Sequence, residues 1–340
     1  MNAITRGFQR FHWSLVSLSS YQAESIGGQA VIEGVLMRSP RRLAVAVRAP
    51  DGSIVVDNQE FVAFSRRHKI FGLPVLRGAA SLVESLVIGV KALNFSMAVQ
   101  ERPAVPSPAA SAQSAIAAES GFGRKSSRWD SLWIGLSLLS SFALALALFQ
   151  LLPYWVASNL VGGTRTDPAN PVLFNFTAGG VRMSLLLAYM WGISHLKDIS
   201  RVFQYHGAEH KSIFAHERQG SLDMASARAQ SRFHPRCGTS FILIVALVCM
   251  MFFSLLDGLL WQWFNYAYPT FLHRFAIHLP FVPLVAGLSF EVLKFTARFQ
   301  DSPWVRPLVL PGLWLQKITT REPDEKQLEV AIASINAAVA

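Results

Sequence analysis

Long apolar stretches restrict the possible folds of this chain more than any other feature. Four of them, at residues 131–158, 181–197, 239–263 and 275–293, reach the ~17–25 residues that a transmembrane helix needs. Inside a bilayer every backbone polar group must find its hydrogen bond within the protein, which a helix provides. We therefore predict an α-helical polytopic membrane protein with four transmembrane helices.

The charge distribution predicts the orientation. Hydrophobic residues make up 51% of the 340 residues and charged residues only 15%, yet the net charge is +10. Basic residues concentrate in 1–130, 198–240 and 294–340, whereas the loops 159–180 and 264–274 hold one each. Because basic loops stay on the cytoplasmic side, we predict a cytoplasmic (inner) membrane location with both termini in the cytoplasm. No zinc-finger, helix-turn-helix or RNA-binding signature points to nucleic acid.

A small β-unit is predicted near the N-terminus, after a basic lead-in at residues 1–27. Apolar residues at 43–48 and 53–57 flank the turn sequence Pro50-Asp51-Gly52, which is typical of a β-hairpin. Residues 61–64 are expected to add a third strand.

A helix and a linker are predicted to follow. Residues 73–97 carry apolar side chains at helical spacing, but Arg77, Glu84 and Lys91 interrupt them, so we expect an interfacial helix at the membrane surface. With the β-unit, this helix forms a cytoplasmic segment at 28–98. Residues 99–130, rich in Ala, Ser and Pro, predict a flexible linker.

The remaining chain divides into a membrane domain at 131–297, with a cytoplasmic loop at 198–238, and a C-terminal segment at 298–340. Near the end, residues 324–339 predict an amphipathic helix. Its expected buried stripe consists of Leu328, Val330, Ala331 and Ile335.

The loop at 198–238 contains the sequence His206-Gly207-Ala208-Glu209-His210. On a helix, His206, Glu209 and His210 share one face. Two imidazoles at this spacing can chelate one ion, and a neighbouring carboxylate can accept a proton from water, in the residue order of the inverted zincins. We predict a divalent metal, zinc, at His206 and His210, with Glu209 as catalytic base or, alternatively, as a solvated ion-pair partner.

A zinc site needs at least a third ligand, and the predicted topology leaves two options. Glu291 lies near the inner end of the fourth span, where a lone carboxylate is costly unless it has a partner. His234 and Cys237, spaced as His-x-x-Cys just before the third span, are the rival ligands.

Five motif blocks occur together in the chain. They lie at residues 27–38, 76–86, 206–211, 234–241 and 311–323. Over about residues 26–337 they resemble the YqhQ-like family of bacterial multi-pass membrane proteins, a domain of unknown function often labelled as predicted metal-dependent enzymes. The resemblance implies a membrane location and a metal-centred role. It also makes Glu33, Arg77 and Glu84 candidates to line the site, beside Lys211 and Arg236; for Glu33, the alternative is a place in a strand that is entered and left through glycine turns.

Two functions follow from this pattern. The first is a zinc hydrolase, with peptides as one substrate class, whose site lies at the cytoplasmic membrane boundary. The alternative is a non-enzymatic membrane assembly factor or scaffold with a structural metal site, because a closed shell of His206, His210, His234 and Cys237 would leave no position for water. The expected partners are the lipid bilayer, a peptide or protein, and a second copy of the chain.

Overall fold

The computed structural model describes residues 26–102, 136–163 apart from 138, 142 and 146, 170–219, 222–299 and 302–340. Most of the predicted lead-in and most of the predicted linker lie outside the described residues.

The N-terminal unit is an antiparallel sheet of four strands in chain order. They are β1 (Gly27–Val31), β2 (Gly34–Arg38), β3 (Arg42–Arg48) and β4 (Ile54–Glu60). The predicted hairpin is β3–β4, with Arg48 paired to Ile54 across a turn in which Gly52 has a φ of +88°.

The prediction of a third strand at residues 61–64 is wrong. Strand β4 ends at Glu60, and the short helix α1 (Phe64–Arg67) begins instead. The Phe64 N–H donates to the Glu84 carboxylate at 2.8 Å, and the Arg66 N–H donates to Ala63 O, so these amides are used outside a strand ladder. A 3-10 turn (Lys69–Gly72) then leads into helix α2 (Leu76–Gln100).

Both faces of the sheet are covered, as the alternation of side chains along a strand requires. Leu36, Val45 and Val47 pack against α2. Val35, Met37, Ala44 and Ala46 face helix α5 (Lys197–Gln219) and helix α11 (Glu325–Val339). Helix α11 starts at a capping box on Asp324, and its buried side includes Leu328, Val330, Ala331 and Ile335.

Five helices in the described residues are long and apolar enough to cross a membrane, which indicates a membrane protein. These candidate spans are Leu76–Gln100, Leu139–Val161, Pro171–Ile193, Gly238–Phe264 and Leu272–Arg298. Four of them overlap the four predicted spans. The fifth is α2, the helix expected at the membrane surface.

The other four candidate spans include five further helices. They are α3 (Leu152–Val161), α4 (Pro171–Ile193), α7 (Gly238–Phe264), α8 (Phe271–His278) and α9 (Val282–Arg298). Helix α4 starts at Pro171, not at residue 181, because the Asn170 side chain caps it by accepting from Leu173 N–H at 3.0 Å. The remaining helices are α6 (Met224–Arg228) and α10 (Arg306–Thr319).

A buried polar network joins α4, α7 and α8 at the ends remote from the sheet. The Asp257 carboxylate accepts from Arg274, Tyr268, Asn175 and His278. Both Asp257 and Arg274 are almost completely buried, so the pair is compensated by charge and by hydrogen bonds. We infer that the network fixes these helix ends to one another.

Candidate metal centre

Helix α5 packs on the sheet and carries the His-Gly-Ala-Glu-His sequence. Its Tyr205 and Ala208 side chains are buried against the sheet. At Gly207 the backbone carbonyl of Arg321 comes so close that a Cβ atom would overlap it. This glycine therefore lets the segment after α10 cross over the helix beside the two histidines.

Backbone carbonyls fix the orientation of both histidine rings. His206 Nδ1 lies 2.8 Å from Thr319 O, and His210 Nδ1 lies 2.5 Å from Arg232 O. A carbonyl oxygen only accepts, so each Nδ1 must carry the proton and each Nε2 must keep its lone pair. His210 Nε2 is buried without a hydrogen-bond partner. This is the second-sphere arrangement typical of metal-binding histidines.

Cys237 completes a group of three potential ligands. Its Sγ atom lies 3.2 Å from His206 Nε2, and one ligand atom from each of His206, His210 and Cys237 lies within 4.8 Å of the others. Cys237 is the N-cap of α7, where the helix macrodipole favours an anionic ligand. His210 and Cys237 are buried, and His206 is partly exposed.

Glu209 lies beside this cluster. Its side chain packs against Gly28 of β1, where a Cβ atom would lie 2.7 Å from the Glu209 Cγ. Burial raises the pKa of Glu209 to about 7. Its Oε2 atom is buried and has no hydrogen-bond partner.

His234 is close to the cluster but engaged elsewhere. Its ring lies 5.5 Å from that of His210, while its Nδ1 accepts from Arg236 N–H at 3.2 Å. The proton must then be on Nε2, which faces Glu217 at 3.9 Å. Burial lowers the pKa of His234 to about 4, so the ring is neutral. In this tautomer neither ring nitrogen offers a free lone pair to an ion.

Glu291 lies outside the cluster. Both of its carboxylate oxygens accept from the Arg77 guanidinium, at 2.7 and 2.5 Å. The structure thus places two of the predicted site residues together, but as an ion pair between α2 and α9.

The other candidate lining residues also have specific partners. Glu33 bonds Arg201 and Tyr205, Glu84 bonds Arg38 and the Phe64 amide, Lys211 bonds Glu322 and Arg228 O, and Arg236 bonds Glu217. Glu33 occupies the turn between β1 and β2 with a φ of +52°. The contacts of Glu33, Lys211 and Arg236 join α5 to neighbouring segments, and those of Glu84 join α1, α2 and β2.

Sequence reasoning missed the residues that position the three histidines of this region. The side chain of Gln316, completely buried on α10, accepts from His234 N–H at 2.8 Å and donates to His234 O at 2.7 Å. Thr319 and Arg232 act through backbone carbonyls, for which no side-chain pattern exists. The block at residues 311–323 was the only signal that this segment mattered.

Comparison with known proteins places the chain in a family. The family model described as "Protein of unknown function (DUF1385)" matches residues 73–340. The chain is 34% identical over 324 residues to the "Uncharacterized protein YqhQ" of Bacillus subtilis (strain 168), with 91% of each chain covered. No solved structure matches the chain. The resemblance expected from the five motif blocks is therefore confirmed, and the chain belongs to the DUF1385 family of YqhQ-like proteins.

Proposed function

We propose that this protein is an integral membrane, metal-dependent hydrolase that holds zinc through His206, His210 and Cys237, with a peptide bond as the candidate substrate. The observation that carries the proposal is that one ligand atom from each of His206, His210 and Cys237 lies within 4.8 Å of the others. Two of these residues come from one helix turn, and the third lies 27 residues after His210 in the chain.

The ligand types fit zinc better than a hard cation. Imidazole nitrogen and thiolate sulfur are common zinc donors, whereas calcium and magnesium take oxygen ligands. Three protein ligands leave the fourth tetrahedral position free, as in catalytic zinc sites. The partial exposure of His206 provides a side from which this position can be reached.

Zinc would supply Lewis acidity that polarises a carbonyl group and activates water. The contribution of the chain itself is then a proton acceptor and a rigid frame. Glu209 follows the first histidine by three residues and precedes the second by one, so its carboxylate flanks the two imidazoles. A buried carboxylate on the same helix turn as the two imidazoles suits the role of a general base.

We propose four membrane crossings with both termini in the cytoplasm. The same-side packing of α5 and α11 on the sheet supports an even number of crossings between residues 60 and 197. Three candidate spans lie in that interval, so one of them does not cross. Helix α2 fits this role because its C-terminal half packs on the sheet and Gln100 Nε2 donates to Arg48 O at 2.7 Å.

The catalytic role is tested with Glu209→Gln in purified full-length protein, using fluorescein-labelled casein as the probe. We expect the variant to retain its zinc and to cleave casein ~10²–10⁴-fold more slowly, because a general base contributes about this factor. The matched control is Glu329→Gln, which makes the same change at an exposed carboxylate of α11. Equal cleavage by Glu209→Gln and the wild type would remove Glu209 from the mechanism.

A structural metal is the second candidate, and the burial of His210 and Cys237 favours it. The cluster joins α5 to the start of α7 and to the end of α10, as a structural ion would. Cobalt substitution separates the two candidates. A shift of the visible bands on adding acetohydroxamate indicates an open position and supports the hydrolase; unchanged bands indicate a closed structural site.

A further inference from the structure

We infer that α1, the turn after it and the outward face of α2 form a docking surface for the anionic phospholipid headgroups of the bilayer. This lipid-docking surface runs from Val62 to Met97. The inference concerns a different part of the molecule from the metal centre and does not depend on its chemistry.

Helix α2 has two opposite apolar faces. One face packs on the sheet through Ile88, Ala92, Phe95 and Val99. The other is exposed, with Leu86 67% and Val83 62% accessible. Its exposed members, which follow helical spacing, are Leu82, Val83, Leu86, Val87, Val90, Leu93 and Met97. A contiguous apolar face of this kind marks an interaction surface in a folded protein.

The segment before α2 extends the same surface and adds positive charge. Val62, Phe64, Ile70 and Leu73 are exposed there. Arg66 and Arg67 lie in the last turn of α1 and are also exposed. Among the described residues, no carboxylate pairs with either guanidinium. Basic side chains beside exposed apolar and aromatic residues are the combination that binds an anionic membrane interface.

Contacts with α9 place this surface at the membrane boundary. The Arg77–Glu291 ion pair and the close approach of Gly78 to Phe290 and Gly287 fasten the start of α2 to α9. Helix α9 also has exposed apolar residues, among them Leu284, Leu288 and Phe295. Because α9 belongs to a candidate membrane span, the bilayer is the partner that covers both faces.

The depth of α2 is measured with single nitroxide labels at Leu82, Leu86, Val90 and Met97 in the full-length Cys249→Ser protein. The protein is placed in nanodiscs of phosphatidylcholine alone or mixed with phosphatidylglycerol. The Cys249→Ser protein without an added cysteine is the control for labelling of buried Cys237. We expect all four labels at one shallow depth, ~5–10 Å below the headgroups. A crossing helix would separate Leu82 from Met97 by about 22 Å in depth at ~1.5 Å per residue, and this would overturn the inference.

The headgroup preference is measured with a label at Ile70 and the variant Arg66→Gln plus Arg67→Gln. The wild-type label should lie deeper in the anionic nanodiscs than in the zwitterionic ones, and the double variant should lose this difference. Arg228→Gln, an exposed arginine on α6, is the matched control and should keep it. Equal depth in both lipids, or a label shielded from oxygen as well as from water-soluble nickel by a protein partner, would contradict the inference.

Discussion

At the scale of single residues, hydrogen bonding to the backbone separates three histidines that look alike in sequence. The Nδ1–H groups of His206 and His210 donate to backbone carbonyl oxygens, which leaves Nε2 as the nitrogen of each ring that can face an ion. His234 has the opposite tautomer, because its Nδ1 accepts from a backbone amide. The identity of the third ligand therefore depends on contacts that no local sequence pattern encodes.

Gly207 provides a test of the frame around the ligands. We predict that Gly207→Ala destabilises the protein by about 1–3 kcal/mol, because the new methyl group would overlap Arg321 O and force the 319–323 segment away from α5. The same shift would move Thr319 O from His206 and weaken zinc binding. Thermal unfolding of the purified variant in detergent, with and without zinc, measures both effects.

Gly180→Ala is the matched control for this substitution. Gly180 also lies inside a helix, but a Cβ atom there meets no neighbour within 4 Å. Alanine is the better helix former, so this variant should be as stable as the wild type or slightly more stable. A Gly207→Ala protein with wild-type stability and zinc affinity would show that the close approach is not required.

At the scale of secondary-structure elements, sequence periodicity located the helices and turns but did not reveal which residues pair across them. The spacing of His206 and His210 placed them on a helix, and Pro50-Asp51-Gly52 predicted the β3–β4 turn. Glu291 was a candidate third ligand because a lone carboxylate near a span needs a partner, and in the structure its partner is Arg77, 214 residues away. Such a long-range pairing depends on how helices pack and leaves no trace in either local segment.

Helix α2 shows why composition alone does not determine the role of an element. Its apolar residues pack on the sheet on one side and face outward on the other, so the helix is long and apolar enough to be a candidate membrane span. Arg77, Glu84 and Lys91 are the sequence signal against that interpretation. Two of them have structural partners, Glu291 for Arg77 and Arg38 for Glu84.

At the scale of the whole molecule, same-side packing limits the topology. The sheet, α5 and α11 share one core, and the candidate metal centre lies where that core meets the start of α7 and the end of α10. Four crossings satisfy this packing, whereas five would place α5 on the side opposite to the sheet.

The topology is testable with cysteine reporters at Ser53, Ala267 and Ala340, one in each full-length protein. In intact cells, a membrane-impermeant maleimide should label only Ala267→Cys, because the loop between α7 and α8 faces outward in the four-crossing arrangement. In inverted vesicles, Ser53→Cys and Ala340→Cys should be labelled instead. Labelling of Ser53 and Ala340 from opposite sides would rule out four crossings.

Metal content tests the central claim most directly. We predict about one zinc per chain in wild-type protein purified without chelator, and almost none in His206→Ala plus His210→Ala or in Cys237→Ser, because a zinc site rarely survives with fewer than three ligands. Glu291→Gln should keep its zinc, since Glu291 binds Arg77. Wild-type protein without stoichiometric metal, or zinc lost in Glu291→Gln and retained in Cys237→Ser, would contradict the proposed site.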